Sequence, residues 1–218
     1  MSIPRVYVDT NIFKFSATEL TRLRPRSKTI NWGGNNIEVT VHDFIEENPI
    51  HRISNEELKS EAELLPELAN LGKVGLIQYV IQLEAELESW GIPNVDSNSG
   101  RFYGAPVEPV EAPNVYGRVI AGGPNDPKEE QFKFLSRIDD TRFKELQKIT
   151  GAYQGGNKLN RNQLLDAFHL WCAEHNNCTY FLTMDFKLIR VSRNGGSKKL
   201  KVQPVRPSEL LRELSQNS

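Results

Sequence analysis

The 218-residue sequence predicts an α/β fold: a mostly parallel central sheet flanked by helices in three layers, carrying insertions. Two observations predict it. Short apolar runs alternate with stretches of helical period, from Val6-Tyr7-Val8 through Val74–Ile81 and Thr179–Thr183 to Leu200–Val202. These runs are mostly apolar, as expected of strands covered on both faces by helices. Composition agrees: 38% of residues are hydrophobic, 25% are charged and the net charge is −1.

Taken in order, Val6–Val8 is a strand ending at Asp9-Thr10-Asn11, residue types that cap helices and turns. Residues 28–42 read as a hairpin, with Gly33-Gly34-Asn35-Asn36 as the turn, and mark an insertion at about 22–50. Ser54 and Glu57 form a capping box for a helix that Pro66 should kink and Gly72 should end. Gln82–Trp90 follows the Val74–Ile81 strand as a helix. Residues 91–127 are rich in Gly, Pro, Asn and Ser, hold one strand candidate, Val115–Ala121, and read as a second insertion. Helical period returns over 128–149, broken near Asp139 or Asp140. Asn160 with Gln163 opens a helix that runs to about His175, and Pro207 opens a terminal one. The whole is read as one domain of residues 1–218.

No apolar run approaches the roughly 20 residues that span a bilayer, and Arg5 and Asp9 interrupt any secretory core. The two cysteines, Cys172 and Cys178, make no disulfide framework, so the expectation is a reduced, cytoplasmic protein without a membrane partner. No Walker-type phosphate loop is present, which argues against an ATPase.

The chemistry-bearing residues are acids. Asp9 and Asp185 each follow a strand, and in an open parallel sheet both point into the crevice at the strands' carboxyl ends. Asp166 lies early in the preceding helix among Leu164, Leu165, Ala167 and Phe168, where an unpartnered carboxylate is costly. Acids gathered without a lysine suit a hard divalent cation, Mg²⁺ or Mn²⁺. Such an ion can activate water and orient a phosphodiester. Basic residues follow directly: Lys187, Arg190, Arg193, Lys198, Lys199 and Lys201 suit phosphate contact, with Arg22, Arg24, Arg26 and Lys28 as a second run that an extended chain presents on one face. Phe102, Tyr103 and Tyr116 suit base stacking, although local packing explains them better. His169, Cys172, His175 and Cys178 recur every three residues, but on a helix they fan too widely for one zinc ion.

Val6-Tyr7-Val8-Asp9-Thr10-Asn11-Ile12 resembles the opening of PIN domains. Leu165-Asp166-Ala167-Phe168-His169-Leu170 resembles their third acidic motif, and Phe181-Leu182-Thr183-Met184-Asp185 their fourth. The resemblance covers residues 3–16 and 160–211. It implies a PIN-like fold and a metal-dependent endoribonuclease with Asp9, Asp166 and Asp185 as ligands of Mg²⁺ or Mn²⁺, and Asn11 and Thr183 orienting them. It also implies a glutamate on the helix after the second strand. Glu84 is favoured because it follows the strand most closely, with Glu86 and Glu88 as rivals. The partner implied is RNA, with DNA as an alternative. A homo-oligomer, an antitoxin-like protein partner of a toxin, and a catalytically silent nucleic-acid-binding or scaffold module remain open.

Overall fold

The computed structural model describes residues 3–17, 20–47, 49–89, 101–114, 116–117, 126–152, 159–196 and 200–216. Five of its strands form one parallel sheet: β1 (Arg5–Val8), β4 (Gln78–Gln82), β5 (Val107–Val110), β6 (Tyr180–Leu182) and β7 (Gln203–Val205), in the order β5-β4-β1-β6-β7. The chain builds outward from β1 through β4 to β5, then returns to the other side of β1 for β6 and β7. The strand order therefore reverses between β1 and β6, the place where open sheets of this kind leave a crevice.

Each strand sends alternate residues to opposite faces. Val6 and Val8, Tyr79 and Ile81, and Tyr180 and Leu182 pack on one side with Leu65, Leu68, Ala69 and Leu210. Tyr7, Val80 and Phe181 pack on the other with Phe143, Leu146, Leu164 and Phe168. One layer is thus α1 (Thr10–Phe15), α2 (Glu56–Ala62), α3 (Leu65–Lys73) and α9 (Pro207–Gln216). The opposite layer is α5 (Pro127–Ser136), α6 (Thr141–Thr150), α7 (Arg161–His175) and α8 (Phe186–Gly196). α4 (Leu83–Ser89) runs on directly from β4. Among the described residues, no helix is long and apolar enough to cross a membrane.

Local chemistry places the ends. Asn160 Oδ1 accepts from the backbone of Asn162 and Gln163 and opens α7. Asp140 Oδ1 accepts from Phe143 N and opens α6, so the 128–149 stretch does break there. Asn55, not Ser54, caps α2, accepting from Leu58 N. Pro66 occupies the first turn of a new helix, α3, rather than kinking one. Gly72 sits inside α3, whose end falls at Val74.

Three expectations shift. The last strand lies at Gln203–Val205, not Leu200–Val202, and carries Pro204. The segment 91–127, read as an insertion, supplies the edge strand β5. Its expected strand, Val115–Ala121, lies for the most part outside the described residues. The hairpin of 28–42 is the outer part of a much longer ribbon. β2 (Leu20–Trp32) and β3 (Asn35–Glu47) pair antiparallel through thirteen registered positions, turn through Gly33 and Gly34 at positive φ, and join no other strand among the described residues.

Candidate acidic site

Asp9 is the residue after β1 and the N-cap of α1, and its backbone N–H donates to Leu182 O of β6. The two strands flanking the switch point are thus tied together at the acids. Asp9 Oδ2 accepts from Asn11 Nδ2 and from Thr183 Oγ1, both at 2.6 Å. Thr183 Oγ1 accepts in turn from Asn11 Nδ2 at 3.0 Å and from Asp185 N at 2.9 Å. Asn11 Oδ1 accepts from Met184 N at 2.9 Å. Asn11 and Thr183, expected to orient the acids, therefore join Asp9 to the Asp185 backbone in one network. Asp185 itself caps α8, its Oδ1 accepting from Leu188 N at 2.9 Å.

Asp166 completes the group from α7. Among the described residues nothing donates a hydrogen bond to its carboxylate, which is half-buried. Burial, then the charges of Asp9 and Asp185, push its carboxyl up to about 7, with His169 opposing. The Asp9 carboxyl is also raised, first by burial and further by Glu88 and Asp185, against the pull of His169 and Thr183. Acids that raise one another in this way mark a site short of positive charge.

The fourth acid facing this group is Glu88, not Glu84. Glu88 Oε2 accepts from Thr10 Oγ1 at 3.2 Å and stands 3.9 Å from His169 Nε2, while Oε1 stands 3.5 Å from Arg161 Nη2. Burial opposes its ionisation, but His169, Arg161 and Thr10 hold its carboxyl below the ordinary value. Glu84 is fully buried elsewhere: its carboxylate accepts from Gln131 Nε2 at 2.8 Å and from the Tyr116 hydroxyl at 3.2 Å. Glu86 pairs with Arg101 at 3.8 Å. The favoured Glu84 is corrected on this ground: one helical turn, about 5.4 Å along the axis, separates a residue that anchors α5 from one that faces Asp9.

Two further neighbours bear on these acids: His169, which stands in the third acidic motif of the sequence reading, and Arg161, which that reading left out. His169 is 2% exposed, its Nδ1 hydrogen-bonded to the Tyr7 hydroxyl at 3.0 Å, and its Nε2 stands 3.9 Å from Glu88 with no hydrogen-bond partner among the described residues. Burial disfavours its protonated form, but Glu88, Asp9 and Asp166 outweigh that and raise its pKa. Arg161 also donates to Gln131 Oε1, and among the described residues its buried Nε has no hydrogen-bond partner. The only sequence signal for either was position: Arg161 follows the α7 cap, and His169 lies three residues, about one turn, after Asp166.

No family model, no curated protein and no solved structure matches the chain.

The residues that could hold a divalent cation are Asp9, Asp166 and Asp185, with Glu88 beside them. Among the described residues, no three His, Cys, Asp or Glu close on one point as a stripped ion would need. The donor set is all oxygen, which suits an ion that keeps several waters and takes one or two carboxylates directly. It does not suit zinc. Cys172 and Cys178 are buried, with thiols pushed up, the latter to about 11, and burial is the first cause for both.

Of the basic residues expected to meet phosphate, Lys187 and Arg190 are exposed on α8, just after Asp185. Arg193 is instead paired with Glu209 of α9 at 2.6 Å. Lys198 and Lys199 lie outside the described residues. Phe102 is packed edge-on against Tyr79 and Phe13, and Tyr116 stacks on Phe134, so neither presents a free ring.

Proposed function

We propose that the chain is a PIN-like endoribonuclease that hydrolyses RNA phosphodiesters with Mg²⁺ or Mn²⁺ bound among Asp9, Asp166 and Asp185. The observation that carries the reading is that Asp9 and Asp185 follow the two strands at the strand-order reversal and are joined through Asn11 and Thr183, with Asp166 near enough for their charges to push its carboxyl up. The sequence resemblance adds the substrate class, RNA. When bound, the cation would supply Lewis acidity toward water and toward a phosphate oxygen.

The chain's own residues do the rest. Asn11 and Thr183 fix the Asp9 carboxylate, so that its free oxygen keeps one direction. Glu88, held between Thr10, His169 and Arg161, places a further carboxylate at the rim. Lys187 and Arg190 present exposed cations to the backbone of the bound strand. No Ser or Cys nucleophile is required, because water attacks.

Two results test this. Attack by water leaves the ribose 2′-hydroxyl idle, so 2′-O-methyl RNA is expected to be cleaved at a rate similar to RNA. A 2′,3′-cyclic phosphate product would instead show attack by the 2′-hydroxyl and contradict the reading. Thr183→Val, which removes the hub between Asp9 and Asp185, is expected to lower kcat about 10- to 100-fold with KM for RNA little changed. Thr183→Ser should retain activity, and wild-type kcat in Thr183→Val would show that the hub positions nothing.

A further inference from the structure

The ribbon β2–β3 extends about 43 Å if its thirteen residues are fully extended, and neither strand joins the central sheet. A lone two-stranded ribbon is marginal in water, so its length calls for a task. Register sorts its side chains. Arg24, Arg26 and Lys28 stand on one face, opposite Asp43, Val41 and Val39, with Ile30 opposite Ile37 and Trp32 opposite Asn35 at the tip. The other face carries Pro25, Ser27, Thr29 and Asn31 opposite His42, Thr40, Glu38 and Asn36, with no lysine or arginine.

Arg24, Arg26 and Lys28 are all exposed, and Trp32 is 72% exposed. Arg26 meets Asp43 at 3.1 Å in a surface pair of the kind worth little in water. Among the described residues, Arg24 and Lys28 have no ion-pair partner. Alternate residues on a strand are about 6.8 Å apart, so the three cations form a straight row that an extended polyanion can follow. Val39 and Val41 are half-buried beside the Lys28 and Arg26 stems, so the face is a cationic strip more than an apolar one. A cationic row ending in an exposed indole is the combination that binds single-stranded nucleic acid: charge along the backbone and a ring for a base. The arm follows the acids along the chain: α1 begins at Thr10, next to Asp9, and spans about 9 Å to Phe15, and the arm's first strand begins at Leu20.

We propose that the β2–β3 arm binds single-stranded RNA along the Arg24–Arg26–Lys28 face, with a base stacked on Trp32, and so holds substrate that enters the acidic crevice. The choice of RNA and the delivery of substrate to the acidic crevice rest on the function proposed above; the cationic strip and its indole stand on the arm's own geometry.

The test is fluorescence anisotropy of end-labelled oligouridine, of about 20 and of about 6 nucleotides, with the full chain in EDTA. Wild type is compared with Arg24→Gln/Lys28→Gln and with Trp32→Ala. Two lost phosphate contacts make the slope of log affinity against log salt shallower by about 1.4, so the loss of affinity from 50 to 200 mM salt is about sevenfold smaller. Trp32→Ala is expected to weaken the longer oligomer about tenfold. The shorter oligomer still covers the row of three cations, about 14 Å end to end, and should weaken in the same direction in Arg24→Gln/Lys28→Gln. Unchanged slope and affinity in both variants overturn the proposal, as does failure of the wild type to bind the longer strand. So does a wild-type dimer by sedimentation that either variant converts to monomer, because the arm would then serve a second copy of the chain. Arm-dependent, salt-sensitive binding without any cleavage on adding Mg²⁺ supports the arm and sinks only the nuclease reading.

Discussion

Asp166→Asn is expected to change activity and stability in opposite directions. It removes a carboxylate from the proposed cation site, so metal-dependent cleavage should fall about a hundredfold or more. It also removes the acid that burial, Asp9 and Asp185 hold up at about 7, so the metal-free protein should become more stable above that pH. An acid with a raised folded-state pKa is bound to its proton more tightly in the native state than in the unfolded chain. Its contribution is neutral below about pH 4, turns unfavourable as pH rises, and is fully unfavourable above about 7. Asp9, also raised, acts in the same direction. Glu88, lowered, acts in the opposite one, but its window lies below its ordinary value of 4.5. Metal-free wild type should therefore lose stability between pH 5 and pH 8, and Mg²⁺ should restore it. Asp166→Asn should gain about 2 kcal/mol at pH 8, a figure already reduced for partial solvent access, by urea unfolding in EDTA. A variant less stable than wild type at pH 8 would show that Asp166 is structurally satisfied rather than poised for a cation.

The second large effect separates two glutamates one turn apart on α4. Glu88→Gln is expected to fold normally and lose about a hundredfold in cleavage, because its carboxylate faces Asp9 and Asp166. Glu84→Ala is expected to do the reverse. It leaves Gln131 and the Tyr116 hydroxyl without their acceptor in a buried setting, costing about 2 kcal/mol of stability. Its activity per folded molecule should stay near wild type. Urea midpoints beside cleavage rates at a temperature where both variants are folded would decide. Loss of activity in a folded Glu84→Ala protein with full activity in Glu88→Gln would return the role to Glu84.

These residues also show what the sequence could and could not reveal. Asp9 and Asp185 were legible because a short apolar run followed by an acid marks a strand's carboxyl end, and Asp166 because its apolar flanks mark a buried helix. Glu88 was not legible: periodicity gives the face of a helix, but which of two residues on that face reaches the site depends on how far the helix runs past the sheet. Both edge strands were missed or displaced for a common reason. β5 contains Pro109 and β7 contains Pro204, and proline argues against a strand unless that strand lies at an edge, as both do. Edge position is a property of the sheet, invisible in the segment. The ribbon was legible only near its Gly33-Gly34 turn. Around Pro25, which pairs with His42, residues 24–29 are all exposed, so this stretch lacks the alternation that signals a half-buried strand.

Cleavage of end-labelled single-stranded RNA by the purified protein tests the central claim most directly, with Mg²⁺, Mn²⁺ and EDTA in parallel and with Asp9→Asn and Asp185→Asn beside wild type. The account predicts cleavage with either cation, none in EDTA, and loss in both variants. Cleavage that persists in EDTA or survives both substitutions would contradict it, as would salt-sensitive RNA binding without cleavage under any of the three conditions.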